Sequence, residues 1–449
     1  MAMDRSRDDV GGNAFFSNGV APEAPSKGRL YAAIEVPEAN EESRLEKDLE
    51  PIYFECVDAS WLQNLNPDMS WKEVYRIAPL SVLELHDYPL PDFPEQLQPG
   101  DIAWFEFGYA PPKVGDIIST LYTSLFSEGV SVAIQYREAL QPGWPDSGPM
   151  SSKGWPKEAM ISHDSKLGLK AISGLLKQVE TSGGVAIYDV GHGACQGLLE
   201  NNHRIPSLYV DFGGGVLGNA KTFPKNHNGF CFTKSPVVIL SHWDWDHWSS
   251  AYRYPIALDT KWIAPPVPKK PIQQAFAADL LARSNLLIWD RHFPSDLRVG
   301  GVGIERCTGK TTNDSGLAVT VYPGPRGRKN YLLPGDAGYR HIPSVARGDA
   351  FSAICITHHG GKLHSVSIPK AKQRGYTVCS LGAGNTYKHP YLHTLEKHML
   401  GGWPLPLVTG FTGKRPSHIF MSWDSAPEIF EGSCHASGCS VAYTRHRSL

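Results

Sequence analysis

The sequence has no apolar run approaching the roughly 20 residues needed to span a bilayer, so no membrane partner is expected. It has no apolar signal core either: MAMDRSRDDVGG is charged, and a cytoplasmic location is expected. Cysteine is sparse, 8 in 449 residues, and scattered, which excludes a disulfide framework. In a reducing compartment such thiols are most simply buried. The one close pair, Cys434 and Cys439 in SCHASGC, lies beside His435, but its spacing fits no common zinc pattern. An excess of charge of either sign is missing too. A net charge of −2 carries no global nucleic-acid signature and leaves room only for a local basic groove.

The length allows two domains, or one large domain with additions. Residues 1–28 are polar and rich in Gly, Ser, Pro and Ala, and read as a disordered N-terminus. Residues 29–165 read as an N-terminal α+β domain or extension. Leu30–Val36, Ile52–Val57, Ile77–Leu85 and the stretch from Gly100 to Phe107 have strand patterning. EESRLEKDLE between the first two reads as a short charged helix or exposed turn, and Asp116–Phe126 has apolar residues at helical spacing. This third holds no catalytic constellation; recognition, a protein partner or covering the active site are its candidate roles. Gln141–Pro156 is Pro-, Gly- and Ser-rich and reads as a loop or linker, and Ser165–Glu180 as an amphipathic helix opening a second domain over 166–449.

The second domain carries the chemistry. Pro236–Leu240 is an apolar run that reads as a buried strand, and LSHWDWDHW (Leu240–Trp248) follows it. A strand end delivers side chains to one fixed place, and this one places His242, Asp244, Asp246 and His247 within six positions. Such a density of donors suits two metal ions held side by side. Trp243, Trp245 and Trp248 flank them, either to stack on a base or, slightly favoured, to pack against the adjacent domain.

LSHWDWDHW resembles the H-x-H-x-D-H metal motif of the metallo-β-lactamase superfamily, with Asp244 where the family's second His stands. Further elements follow in the order of its competence-protein (DNA-uptake) branch: DVGHGAC from Asp189, YVDFGGG from Tyr209, TNDSGLAVTV from Thr312, YLLPGDAG from Tyr331, ITHHGGKLHS from Ile356 and SLGAGNTYKHP from Ser380. The resemblance covers about residues 184–425 and implies an αββα metallo-β-lactamase sandwich preceded by the additional N-terminal α+β region. By position, Asp336 looks like a bridging carboxylate. Asp246 and His247 with one of His358/His359 would hold one ion; His242 and Asp244 with Asp336 would hold the other. His389 is a candidate general acid or phosphate contact, and Asp246 belongs with it to the catalytic set. Asn313, Ser365, Asn385, Tyr387 and Lys388 are candidate substrate contacts, and Asp189, His192 and Asp211 candidate supports for the ligands. His192 stands where the family usually has Gln, and His364 lies beside Ser365 on the same loop.

Hydrolysis at neutral pH needs a nucleophile stronger than water, and a bound divalent ion lowers the pKa of its water from 15.7 to about 7. Two divalent ions are expected, Zn²⁺ or Mn²⁺ with Mg²⁺ as a further option, because an anionic Asp244 shifts the donor set towards oxygen. The expected activity is a metal-dependent phosphodiesterase or nuclease acting on a nucleotide or nucleic acid. The alternatives are an ester, thioester or amide hydrolase of the same fold, and a non-catalytic binding or regulatory protein. The substrate step rests on the family resemblance.

Overall fold

Alternating apolar and polar residues in the first third do build strands, and the strands close on themselves. The computed structural model describes residues 12–17, 26–38, 51–66, 68–85, 93–141, 165–200, 204–324, 327–363, 367–410, 416–430, 432, 434 and 439. Strands β1 (Gly28–Glu35), β2 (Ile52–Asp58), β3 (Leu80–Leu85), β4 (Ile102–Ala110), β5 (Ile118–Tyr122) and β6 (Val130–Ala139) form a closed barrel in the order β1-β2-β3-β5-β6-β4. Every neighbouring pair is antiparallel. Leu30, Phe54, Leu83, Phe105, Phe107 and Leu121 belong to one buried cluster inside it. Two short helices, Ala59–Gln63 and Trp71–Ile77, complete the unit, so the expected α+β region is a β-barrel with little helix. Ser70 and Glu73 form a reciprocal capping box on the second helix.

Two expectations fail here. Asp116–Phe126 is no helix: Ile118–Tyr122 is β5, paired with β3 and β6. Its helical spacing is an accident of a short window, overridden by two strand partners that satisfy its backbone. Nor is all of 1–28 disordered. Residues Ala14–Phe16 form a 3₁₀ turn with Phe15 and Phe16 at 1% and 2% exposure. The Asn13 amide donates to the carbonyls of Tyr75 and Ala78 on the barrel side. Phe16 stacks on Tyr252 and meets Trp248 edge-on in the second unit. The segment therefore straps the two units together.

The second unit is mixed α/β. One sheet has the order β12-β11-β10-β9-β8-β7-β20-β21 and the other β13-β14-β15-β16-β17-β18-β19. The first contains β7 (Gly184–Ile187), β8 (Gln196–Leu199), β9 (Pro206–Val210), β10 (Val237–Ile239), β11 (Trp262–Ala264), β12 (Leu286–Ile288), β20 (His418–Met421) and β21 (Glu428–Phe430). The second contains β13 (Asp296–Val299), β14 (Val302–Arg306), β15 (Leu317–Val321), β16 (Tyr331–Leu333), β17 (Ala350–Cys355), β18 (Lys370–Cys379) and β19 (Leu407–Val408). Val185, Val210 and Ile239 from one sheet share a buried cluster with Val319, Leu333 and Ala353 from the other, so the sheets face each other. Ile172 and Leu176 of the helix Ser165–Leu176 enter the same cluster.

The opposite faces are covered as well. Tyr209, Val238 and Trp262 pack with Ile272 and Phe276 of the helix Pro271–Ala282. Leu332 and Ile354 pack with Ile342, Val345 and Trp403. β9, β10, β11 and β12 are parallel neighbours, as are β16 to β19, and both faces of such strands are buried. That is why Val237–Ile239 reads as an unbroken apolar run. The barrel's outward Tyr31, Val57, Val82 and Trp104 share one cluster with Trp243, Trp248 and Phe276. The two units thus bury a common apolar face.

No described helix is long and apolar enough to cross a membrane. The charged stretch EESRLEKDLE, most of Gln141–Pro156, and His364, Ser365 and His435 lie outside the described residues.

Candidate metal centre

Strand ends make the site. β10 lies in one sheet and the adjacent strands β16 and β17 in the other, and the loops leaving their C-terminal ends carry His242–His247, Asp336 and His358–His359. Loops after β9 and β7 cradle the first of these. The Asp246 carbonyl accepts from the backbone N–H groups of Ala194 and Gly214, and the His247 carbonyl accepts from that of Phe212. The fit leaves no room for a side chain: a Cβ on Gly213 would lie 1.6 Å from the Asp246 oxygen. The glycines of DVGHGAC and YVDFGGG are close-approach residues for the ligand loop.

The donors converge on Asp336, which is 7% exposed. Its Oδ1 lies 3.2 Å from His247 Nε2 and 3.7 Å from His359 Nε2. Its Oδ2 lies 3.8 Å from both His242 Nε2 and His358 Nε2. One carboxylate thus faces a different imidazole pair with each oxygen. Asp246 Oδ2 is 3.2 Å from His359 Nε2, and the two imidazole nitrogens of His247 and His359 are 3.3 Å apart. Two overlapping triads result, His242/His247/Asp336 and Asp246/His247/His359, each with its donor atoms within 4.8 Å of one another.

These separations fit a cation. Four ligands at 2.0–2.1 Å around a tetrahedral ion sit about 3.4 Å apart. His242 Nε2, aimed among these donors, is buried and has no hydrogen-bond partner, an orphaned lone pair that a cation would satisfy. In the metal-free chain, burial works to lower the His247 and His359 pKa values, and Asp336 foremost, with Asp246 among the other neighbouring carboxylates, outweighs it and raises both. Burial likewise works against the Asp336 charge, and His247, His359 and His358 together hold its pKa well below the ordinary carboxylate value.

The outer contacts fix the ring orientations. Asp211, fully buried, accepts from the backbone N–H and hydroxyl of Ser241 at 2.7 and 2.8 Å and lies 2.8 Å from His247 Nδ1. A proton held there leaves Nε2 of His247 free as a donor atom. His359 Nδ1 lies 2.8 Å from the Ser380 carbonyl, which acts the same way. His358 and His359 both have left-handed backbone, φ 51° and 52°. For non-glycine residues this is strain, here concentrated at the converging donors.

Asp244 belongs to neither triad but borders the first. One oxygen is 3.5 Å from His242 Nε2, and the other is 3.8 Å from Lys270 Nζ and accepts from Gln273 Nε2 at 3.5 Å. Lys270 is also 3.7 Å from Glu55 of β2, and Glu55 accepts from Trp245 Nε1 and from the backbone N–H groups of Ile272 and Gln273. The charge that Asp244 adds is therefore met by a lysine, and the barrel supplies the second carboxylate of that network. Of the tryptophans, Trp243 and Trp248 are buried, Trp248 stacked on Phe276, while Trp245 meets Tyr53 and Glu55 of the barrel. They pack between the units.

The remaining expected residues divide. His389 is 7% exposed, both its ring nitrogens lack partners, and its ring lies 5.6 Å from that of His358. Tyr387 stacks on His389 and approaches Tyr53. His192 is in the same pocket, 4.8 Å ring to ring from His359, but its Nδ1 has no partner, so it does not support a ligand by the expected hydrogen bond. Burial first, then neighbouring imidazoles, pushes His192 to about 3 and His389 to about 2, so both rings are neutral at pH 7.

Asp189 is a correction: it accepts from the backbone N–H groups of Gly191, Gly410 and Ser417, so it ties loops together and touches no ligand. Asn385 is another. Its amide donates to the Gly382 and His389 carbonyls and accepts from the His389 N–H, which spends the side chain on its own loop. Lys388 is exposed, and Asn313 is half-buried in the turn before β15, where Gly316 packs on Ser241 and His242. Ser365 lies outside the described residues. Sequence reasoning missed Ser241, Ser380, Lys270 and Glu55. Ser241 and Ser380 adjoin the motifs; Lys270 and Glu55 have no local signal.

Neither a protein-family model nor a curated protein sequence matches the chain. Among solved structures, Zn(2+)-bound PqqB from Methylobacterium extorquens is similar over 50% of this chain and 97% of its own, at 8% identity and a TM-score of 0.28. A likeness that low carries no argument about this chain.

Proposed function

We propose that this chain is a metal-dependent hydrolase of the metallo-β-lactamase fold, holding two divalent ions and cleaving phosphodiesters of nucleotides or nucleic acid. The observation that carries the reading is Asp336, whose two oxygens face separate imidazole pairs. His247, His359 and Asp246 would hold one ion, and His242 with Asp336 the other. His358, with 38% of its side chain exposed, and Asp244, with 36%, border the open side. Two imidazoles and carboxylates in reach of each position suit Zn²⁺ and Mn²⁺ better than Mg²⁺.

When bound, such ions lower the pKa of water and offset charge on the attacking and leaving oxygens. The chain's own residues do the rest. Asp211 and the Ser380 carbonyl fix which imidazole nitrogen is offered to the centre. His389, neutral and unpartnered, presents one N–H to a substrate oxygen and one lone pair to a proton. Tyr387 keeps the His389 ring in place by stacking. Lys388, exposed beside it in the chain, would meet a phosphate oxygen. The phosphodiester assignment is supported by the order of sequence elements and not by a basic groove.

The test is turnover of bis(p-nitrophenyl) phosphate with Mn²⁺, Zn²⁺, Mg²⁺ or chelator, beside Asp246→Ala. Metal-dependent turnover abolished in the variant is the expected result. Turnover of p-nitrophenyl acetate or a thioester alone would move the reading to the other hydrolase class. A folded protein that binds no divalent ion would overturn it altogether.

A further inference from the structure

Cys231 lies in the loop that leads to β10, while Cys434 and Cys439 lie beyond β21, far along the chain. Folding brings the three together, with their Sγ atoms within 4.8 Å of one another. Cys231 and Cys434 are 3% and 2% exposed, packed with Ile205, and Cys439 closes the group from a half-buried position. Among the described residues no other three cysteines gather this way.

We infer that Cys231, Cys434 and Cys439 form a second metal site, a thiolate site for a soft divalent ion of the Zn²⁺ class, distinct from the histidine–carboxylate centre.

Three observations favour an ion over the two simpler explanations. A disulfide joins two sulfurs at about 2.05 Å and would leave the third thiol unpaired in the same pocket; none of the eight cysteines is in a disulfide. Packing alone asks only for small apolar volume and gives no reason for three residues from distant segments to point their sulfurs at one place. Around a tetrahedral ion with Zn–S bonds of 2.3 Å, by contrast, sulfurs sit about 3.8 Å apart, which is compatible with three sulfurs all within 4.8 Å of one another.

The surroundings hold the site's geometry. Cys231 Sγ donates to Thr233 Oγ1 at 3.3 Å, and the Cys231 carbonyl accepts from the Tyr209 hydroxyl at 2.9 Å. Tyr209 belongs to β9, so the cysteine loop is tied to the sheet that carries His242. Three thiolates and one divalent ion leave the fourth position to a neutral donor such as water. Binding converts three thiols to thiolates and releases three protons to solvent. Soft sulfur donors prefer Zn²⁺ and reject Mg²⁺ and Mn²⁺. The ion would clamp the segment after β21 onto the loop before β10 and would take no part in hydrolysis.

The full-length protein, loaded with Co²⁺, is the test. Thiolate ligation gives an intense near-ultraviolet sulfur-to-cobalt absorption that imidazole and carboxylate ligands cannot give. That band should be present in wild type, survive Asp246→Ala and disappear in Cys231→Ser, with metal content falling by one equivalent per chain. Because Cys231→Ser could fail to fold, p-hydroxymercuribenzoate titration of wild-type zinc protein serves as the second measurement. It should release one equivalent of Zn²⁺ as the thiols are modified. Absence of the band, no mercurial-released zinc, or a Cys434–Cys439 disulfide found by peptide mass in protein isolated under reducing conditions would each overturn the site.

Discussion

Replacing Asp211 by Asn removes one charge and changes almost no volume, and the structure says how much should be lost. Three donors converge on the two carboxylate oxygens: the Ser241 N–H on one, the Ser241 hydroxyl and the His247 Nδ1 side on the other. An amide offers one oxygen and one NH₂. If the oxygen faces His247, the NH₂ is driven against the Ser241 backbone N–H, 2.7 Å away in the native geometry. If the oxygen faces Ser241, the NH₂ faces His247 Nδ1, the imidazole proton moves to Nε2, and the nitrogen aimed at Asp336 is closed to a cation. Asp211 is fully buried, so no water relieves either arrangement. A buried unsatisfied donor costs about 1–3 kcal/mol. Loss of such a support typically lowers metal affinity 10–100-fold, about 1.4–2.8 kcal/mol. We expect Asp211→Asn to remain folded, to unfold at lower urea concentration, and to bind Mn²⁺ or Zn²⁺ at least 10-fold more weakly in competition with a chelating dye. Wild-type affinity in a variant confirmed by sequencing would refute the reasoning, because neither amide orientation preserves all three contacts.

Other perturbations follow from the same geometry. Gly213→Ala puts a methyl 1.6 Å from the Asp246 carbonyl, a backbone atom that can move only with the ligand loop; stability should fall by roughly 3 kcal/mol, and metal binding with it, read by denaturant titration. Glu55→Gln keeps the shape but leaves Lys270 with Asp244 as its nearest carboxylate; breaking a buried pair costs about 3–5 kcal/mol, so a loss of under 0.5 in chemical denaturation would contradict the network. Metal uptake by the chelator-treated protein should release protons. The His247 and His359 pKa values are raised above 6.5 in the metal-free chain, so a cation must displace protons, and apparent affinity should fall as pH drops through that raised range. By the same sign, their contribution to the stability of the metal-free protein is complete below pH 6.5 and is lost as pH rises through the raised values, which pH-resolved melting checks.

The parts of the centre that could be read from the sequence are those that sit together at strand ends. His242 to His247 lie on one loop after an apolar run, so local patterning was enough to collect them; Asp336 and the His358/His359 pair, each after a short apolar strand, were collected by the family resemblance of the elements that hold them. Assigning the adjacent histidines was not possible that way, because left-handed backbone at both sends them to different oxygens of Asp336. Asn385 misled because a polar residue beside His389 looks the same whether it serves a ligand or its own loop. Glu55 and Lys270 were invisible for a different reason. Glu55 is one acidic residue inside a strand pattern and Lys270 one of two adjacent lysines, and only the docking of barrel on sandwich brings Glu55 to Lys270 beside Asp244. β5 was misread because five residues are too few to separate a period of 3.6 from one of 2 once both strand partners are unknown.

The N-terminal strap bears on how this molecule can be taken apart. Phe15 and Phe16 sit in the same apolar cluster as the barrel's outer face and Trp248. A tethered module can be cut at its linker and leave two soluble pieces. Cut here between residues 141 and 165, each fragment would keep half of a seam made of aromatic rings, and the second fragment would also lose the carboxylate of Glu55 from beside Lys270. The barrel is therefore a fixed wall of the half that carries the candidate metal centre, and swapping it for a foreign recognition domain would mean rebuilding that wall, not replacing a handle.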